Sequence, residues 1–367
     1  MDSLTGFQFI LTYLAMLNLT KKLIRIKTIP GNTKALNEAL DLCLSSLTDY
    51  TIENFKSNGK NSVLVYNRSK RPKIFKYILN GHLDIIPGKE KQFTPVITGD
   101  RLYGVGAMDM KGNVASLVSV FNNVAKKVKY PLGLQLVTDE ETGGFDGTKY
   151  QIQEGVRSNF VIAGESTGFN IVNKAKGIIW LRITTKGKTA HGAYPWRGKN
   201  AIWKMHNLLT QLEKTFPIPL KDSWQSTLNL SNISTTNESF NKIPDKCTID
   251  LDIRYIPEDS ETILDNIKSL LDNTFEIEIV VNEPSLYVKE TDPNLIKLQR
   301  IVSNFTKNSV KFYGANGSSD ARHFTEVNCA GVEFGPVGGG IGTDKEWVSI
   351  SSLRKYQAIL TEFLLSE

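Results

Sequence analysis

The chain has 367 residues, 40% hydrophobic and 22% charged, which excludes disordered, collagen-like and coiled-coil classes. At roughly 100–200 residues per domain, the length points to two domains, and no run approaches the roughly 18 apolar residues of a membrane helix. The net charge of +6 comes from 44 basic and 38 acidic residues mixed along the chain, which argues against a nucleic-acid partner. The most apolar segment, 7–19, is interrupted by Thr12 and Asn18 and preceded by Asp2, where a signal peptide would be basic. It reads as a buried first helix of a cytoplasmic chain. Cys43, Cys247 and Cys329 lack metal-type spacing and fit reduced structural thiols.

A strand is predicted at 74–79, a helix at 110–124 with Val114, Leu117, Val118, Phe121 and Val124 at helical spacing, and a strand at 132–137. A short helix at 148–153 and an apolar run at 160–163 follow. Strands alternating with helices imply a mostly parallel sheet with helices on both faces. From Gly177 the texture changes. Strand 178–185, helix 201–212, strands 226–233 and 248–254, helix 260–272 and strand 275–281 spell the ferredoxin-like α+β order. After Glu283-Pro284 a helix at 294–305, an apolar run at 331–334 and a helix at 351–365 restore the first texture. The expected architecture is an α/β domain (1–177 and 285–367) interrupted by an inserted domain (178–284).

Four clusters follow apolar runs or open helices: His82-Leu83-Asp84, Asp109, Asp139-Glu140-Glu141 and Gly164-Glu165-Ser166. In an open parallel sheet the strand C-termini share one edge, where loops form the ligand crevice. Each cluster alone has an ordinary reading: a surface His-x-Asp, a solvated glutamate pair, an Asp109 that caps a helix. Their placement at one edge carries the case. One imidazole among several carboxylates suits a divalent metal such as zinc, and Asp84 is placed to orient His82. Of two adjacent glutamates, one can hold the metal while the other takes a proton from water. Together they describe metal-assisted hydrolysis.

These residues resemble the co-catalytic zinc hydrolases that include succinyl-diaminopimelate desuccinylase, acetylornithine deacetylase, aminoacylase-1 and carboxypeptidase G. The matching stretches are Asn80-Gly81-His82-Leu83-Asp84, 101–112, 138–144, Gly164-Glu165-Ser166, and 187–202 with Ala190-His191-Gly192. Further along come Asn241-Lys242-Ile243-Pro244-Asp245, Asp252-Ile253-Arg254, Ser319-Asp320-Ala321-Arg322 and 333–336. The desuccinylase and deacetylase branch looks closest. The resemblance implies a zinc-exopeptidase-like catalytic domain in which His82 and Glu165 hold one metal, Glu141 a second, and Asp109 bridges them. It implies Glu140 as general base, Asp84 as support for His82, His191 as oxyanion stabiliser, and Asn241 and Arg254 as substrate contacts. The inserted domain would be lid and homodimer interface. His206 reads as solvated, Lys111 as a helix-start charge, and His323 as a helix-start surface histidine.

One departure matters. The family carries a last metal histidine in a His-x-x-x-Glu-type segment, and aligning on Glu346-Trp347-Val348 puts Gly342 at that position. Either one ion is held by His82, Asp109 and Glu165, or Asp344 or His323 supplies the missing ligand, or the second site is weakened or lost. One tight ion (zinc, cobalt or manganese) ranks above two. The expected activity is hydrolysis of an N-acyl amino acid amide, with a dipeptidase or carboxypeptidase as the alternative. A non-catalytic binding protein is the alternative of another class.

Overall fold

The computed structural model describes residues 6–366, with side chains from Tyr13 onward. Two compact units emerge. The first comprises the chain up to Lys174, Tyr287–Tyr313 and the residues from Ser319 on; the second comprises Ala175–Leu286 and Gly314–Ser318.

At the centre of the first unit, strand Phe75–His82 runs parallel to Leu132–Val137 on one side and to Ser158–Ala163 on the other. Ala330–Glu333 continues the parallel set beside Ser158–Ala163. Antiparallel strands flank it: the hairpin Thr51–Ser57/Lys60–Tyr66 on one edge and Ile171–Ala175 on the other. Both faces are covered, which is why these strands read as continuous apolar runs. Leu79, Leu134 and Ile162 face a cluster with Leu117, Phe121 and Phe363 from helices Gly112–Val124 and Ile350–Leu365. Their neighbours Ile78 and Val161 turn to the other face, against Ile152 and Phe324.

The segment 7–19 lies in helix Gly6–Arg25, which is amphipathic rather than buried throughout: Met16, Leu23 and Ile24 face inward while Leu14 is exposed. Side chains before Tyr13, and Asp2, lie outside the described residues. Among the described residues no helix is long and apolar enough to cross a membrane.

In the second unit the strand order is Thr227–Thr235, Lys246–Tyr255, Gly177–Lys186, Phe275–Glu283, all antiparallel. This is the ferredoxin-like arrangement. Ile179, Leu181, Ile183, Ile249 and Leu251 pack against Met205, Leu208 and Leu212 of helix Ala201–Thr215 and Ile263 and Ile267 of helix Ile263–Lys268. The first helix starts at Asn200, whose side chain accepts from the Ile202 and Trp203 amides. The second is shorter than the predicted 260–272: its N-cap, Thr262, makes no capping hydrogen bond, and residues 270–271 close in turns.

Candidate metal centre

The parallel register aligns the strand ends. His82 pairs with Val137, and Asn80 with Ala163. The segments leaving these strands therefore start side by side: His82 ends one strand, Glu140 follows the second by three residues and Glu165 the third by two. Asp109 comes from the turn Ala107–Lys111, ahead of the helix that begins at Gly112. It does not cap that helix, contrary to its simplest sequence reading.

His82 is buried, and its Nε2 lies 3.0 Å from Asp109 Oδ1 and 3.8 Å from Glu165 Oε1. Ligand atoms of His82, Asp109 and Glu165 all lie within 4.8 Å of one another; among the described residues this is the one such group of three. Nδ1 of His82 is 2.9 Å from the Asp84 backbone carbonyl and 3.6 Å from its carboxylate. The carbonyl can only accept, so Nδ1 carries a proton and Nε2 is the nitrogen turned toward the cluster. The orienting group is thus mainly the main chain of Asp84. Its carboxylate instead accepts the amides of Glu140 (3.2 Å) and Glu141 (2.9 Å).

The electrostatics call for a cation. Burial pushes Glu140 and Glu165 well above the ordinary carboxylate range, and neighbouring carboxylates add to the shift while His82 opposes it. Burial raises Glu141 to about 7. Burial disfavours the charged imidazole of His82, but hydrogen bonds to Asp109 and Asp84 and the charges of Glu165 and Asp109 lift it well above its usual value. Crowded carboxylates around an imidazole are the donor set a divalent ion satisfies, the ion taking the place of the Nε2 proton. The residues fit one.

Three supporting residues were not assigned a role from sequence. Glu346 accepts the amides of Gly106 (2.9 Å), Met108 (2.9 Å) and Asp109 (3.2 Å), fixing the turn that presents Asp109. Asn113 donates to Met108 O, Gly164 O and Ser166 Oγ, tying the Asp109 turn to the Glu165 loop. Lys111, expected as a helix-start charge, is fully buried with Nζ on Ile26 O at 2.8 Å. The sequence signal for Glu346 was the Glu-Trp-Val match, read only as an alignment anchor. Glu346→Gln presents an amide where three N–H groups need acceptors, and losing the support of a ligand-bearing turn typically costs ~10–100-fold in metal affinity. A drop of that size in zinc affinity, measured by competition with a chelating dye, is expected; unchanged affinity would remove the role.

The position aligned with the family's last histidine is open. Gly342 has φ +66°, and a Cβ there would come no closer than 4.0 Å to its nearest neighbour, Ile86 Cδ1. It lines a cavity of about 330 Å³ with Asp109, Glu141, Ile86 and Glu346. Asp344 lines the same cavity but pairs with Lys89. His323 is wholly buried, not at the surface, and its Nε2 is 3.0 Å from Gly143 O.

In the second unit His191 and Asn241 are neighbours. His191 bridges to Lys242 in antiparallel fashion, and the Gly192 amide donates to Asn241 O at 2.6 Å. Both side chains are exposed. Arg254, on Lys246–Tyr255, points Nε at Asp252 Oδ1 at 3.0 Å. His206 is exposed.

The profile of peptidase family M20/M25/M40 matches residues 78–366. The chain belongs to that family. As an M20-family member it is a hydrolase of amide bonds; the family implies a divalent metal, and His82, Asp109 and Glu165 form a group that could hold one. It is 28% identical over 315 residues to the succinyl-diaminopimelate desuccinylase of Pelagibacter ubique (strain HTCC1062), covering 78% of this chain and 82% of the relative. It is 30% identical over 263 residues to the acetylornithine deacetylase of Buchnera aphidicola subsp. Acyrthosiphon pisum (strain Tuc7), covering 65% and 67%. The solved aminopeptidase PepT from Bacillus cereus ATCC 10987 shares the fold, with a TM-score of 0.77 at 18% identity over 97% of this chain and 99% of that one.

Proposed function

We propose that this M20-family chain removes a short acyl group, succinyl or acetyl, from the amine of an amino acid, using one tightly held ion, zinc first, on His82, Asp109 and Glu165. The observation that carries the reading is the convergence of those ligand atoms within 4.8 Å beside the buried Glu140. When bound, the ion supplies Lewis acidity to a water and to the scissile carbonyl. Glu140 takes the proton from the attacking water and returns it to the leaving amine. Asp84 holds Glu140 in register through its amide. Glu141 adds negative charge beside Asp109 and serves any second, weaker ion.

By family resemblance His191 steadies the developing oxyanion, and Asn241 and Arg254 receive the substrate and its carboxylate. The domain at 178–284 acts as lid and homodimer interface, and 1–177 with 285–367 carries the chemistry. The proximity of His191 and Asn241 on adjoining segments supports a shared role for them.

The test is a panel of N-succinyl and N-acetyl amino acids and dipeptides, incubated with the protein and zinc, cobalt or manganese, with new primary amine as the readout. Release from the acylated amino acids ahead of the dipeptides is expected. Dipeptide turnover alone would make the chain a dipeptidase of the same family, and no amine with any metal would overturn the proposal.

A further inference from the structure

We propose that Arg322 and His323 are positioning residues for Glu140: they hold the turn that carries it, by jointly donating to the Gly143 carbonyl. The inference rests on the reading of Glu140 as the base.

The turn is tight and held on both sides. The Gly143 amide donates to Glu140 O, and the Thr142 and Gly144 amides donate to Asp139 O. Its N–H side is held by Asp84, which accepts from Glu140 and Glu141. Closing it takes φ +106° at Gly143 and φ +67° at Gly144, a left-handed pair that glycine adopts without strain. A side chain at Gly143 would also run into the Phe145 ring at 2.4 Å.

The Gly143 carbonyl receives two donors, Arg322 Nη2 at 2.7 Å and His323 Nε2 at 3.0 Å. A carbonyl only accepts, so Nε2 of His323 carries its proton, which leaves that nitrogen no lone pair for an ion. Arg322 Nη1 meanwhile holds Ser319 O at 2.8 Å. One rigid guanidinium thus fastens two segments 179 residues apart in the chain. Both side chains are at least 97% buried, Arg322 at 3% exposure and His323 at 0%.

A buried guanidinium is a costly way to satisfy one carbonyl, since a neutral donor would do so with less desolvation. What the planar fork adds is a fixed angle and distance between the two carbonyls it spans. That geometry bears on Glu140, three residues before the gripped carbonyl, whose own carbonyl accepts the Gly143 amide across the turn. Misplacing a reacting group by about 1 Å can cost on the order of 100-fold in rate.

His323→Leu and His323→Gln separate positioning from bulk stability, because Gln places an amide N–H where Nε2–H stood. In His323→Leu, kcat is expected to fall about tenfold or more with KM nearly constant, the pattern of a lost transition-state contact. Amide hydrogen exchange in residues 139–145 is expected to speed up locally, without change in the strands of the central sheet. His323→Gln should restore most of both, and Arg322→Lys, whose single ammonium cannot span two carbonyls, should resemble His323→Leu. A rise in KM at constant kcat, exchange accelerated evenly across the first unit, or a Gln variant as impaired as Leu would each overturn the proposal. The exchange measurement stands without turnover: if the unmodified protein hydrolyses no amide, the functional reading fails while the hold on the 139–145 turn is still decided.

Discussion

Glu140→Gln is expected to lower turnover by about 100- to 10,000-fold, the span of general acid–base catalysis, while the bound metal stays at the level of the unmodified chain. The two side chains have nearly the same shape, so packing and the turn around residue 140 persist. The Glu140 and Glu141 amides still reach Asp84, because those hydrogen bonds come from the main chain. What disappears is a carboxylate able to accept a proton. Burial and the surrounding carboxylates make that group a stronger base than a free glutamate, and an ion on His82, Asp109 and Glu165 would bring it back toward the working range. The measurement pairs kcat on whichever acylated amino acid is hydrolysed with elemental analysis of the dialysed protein. Equal turnover in the variant would remove Glu140 from the mechanism; lost metal with lost turnover would make it a ligand instead.

What the sequence disclosed about this molecule tracks how local the signal is. The strand at Leu132–Val137 and the helix at Thr148–Gln153 match their predicted bounds because each is a short periodic block between turn residues. The hairpin Thr51–Ser57/Lys60–Tyr66 was missed: Thr51-Ile52-Glu53-Asn54-Phe55-Lys56-Ser57 is polar at most positions, and only its pairing with Lys60–Tyr66 makes it a strand. The small sheet joining Arg101–Tyr103 to Trp347–Ser349 pairs residues more than 240 apart in strands of three, below what periodicity resolves. The site behaved the same way. His82, Asp109 and Glu165 were legible because His82 ends a strand, Asp109 stands just ahead of a helix and Glu165 follows a strand. Lys111 does stand at a helix start, but its burial, and that of His323, read as a surface histidine, escaped the sequence because segments distant in the chain, Ile26 and Gly143 respectively, receive their side chains. The Asp84 carboxylate was assigned to His82, whereas most of its work is on the Glu140–Glu141 amides, a choice that only the register of neighbouring strands could reveal.

Restoring the family's histidine is expected to add an ion. By the family resemblance a second position in the unmodified chain would keep only Asp109 and Glu141; Glu141 lies outside the group formed by His82, Asp109 and Glu165, and its Oε1 accepts the Ile86 amide at 3.2 Å. Two carboxylates, one of them shared with the first ion, fall short of the three protein ligands typical of a catalytic zinc site. Gly342→His supplies an imidazole to the wall of the cavity that Asp109 and Glu141 line. Space permits it, because the nearest atom to a Cβ at that position is 4.0 Å away. The backbone charges a modest fee: φ is +66°, and a left-handed L-residue costs roughly 1–2 kcal/mol, although histidine is among the residues enriched in that region. Ligation of an ion by a third donor outweighs that strain. Elemental analysis after exhaustive dialysis should therefore give about one ion per chain before the substitution and about two after it. Two tight ions in the unmodified chain would sink the single-ion reading. A count that stays at one in the variant would show instead that Gly342 does not reach the second position, and that the Glu346-Trp347-Val348 alignment misplaces the missing ligand.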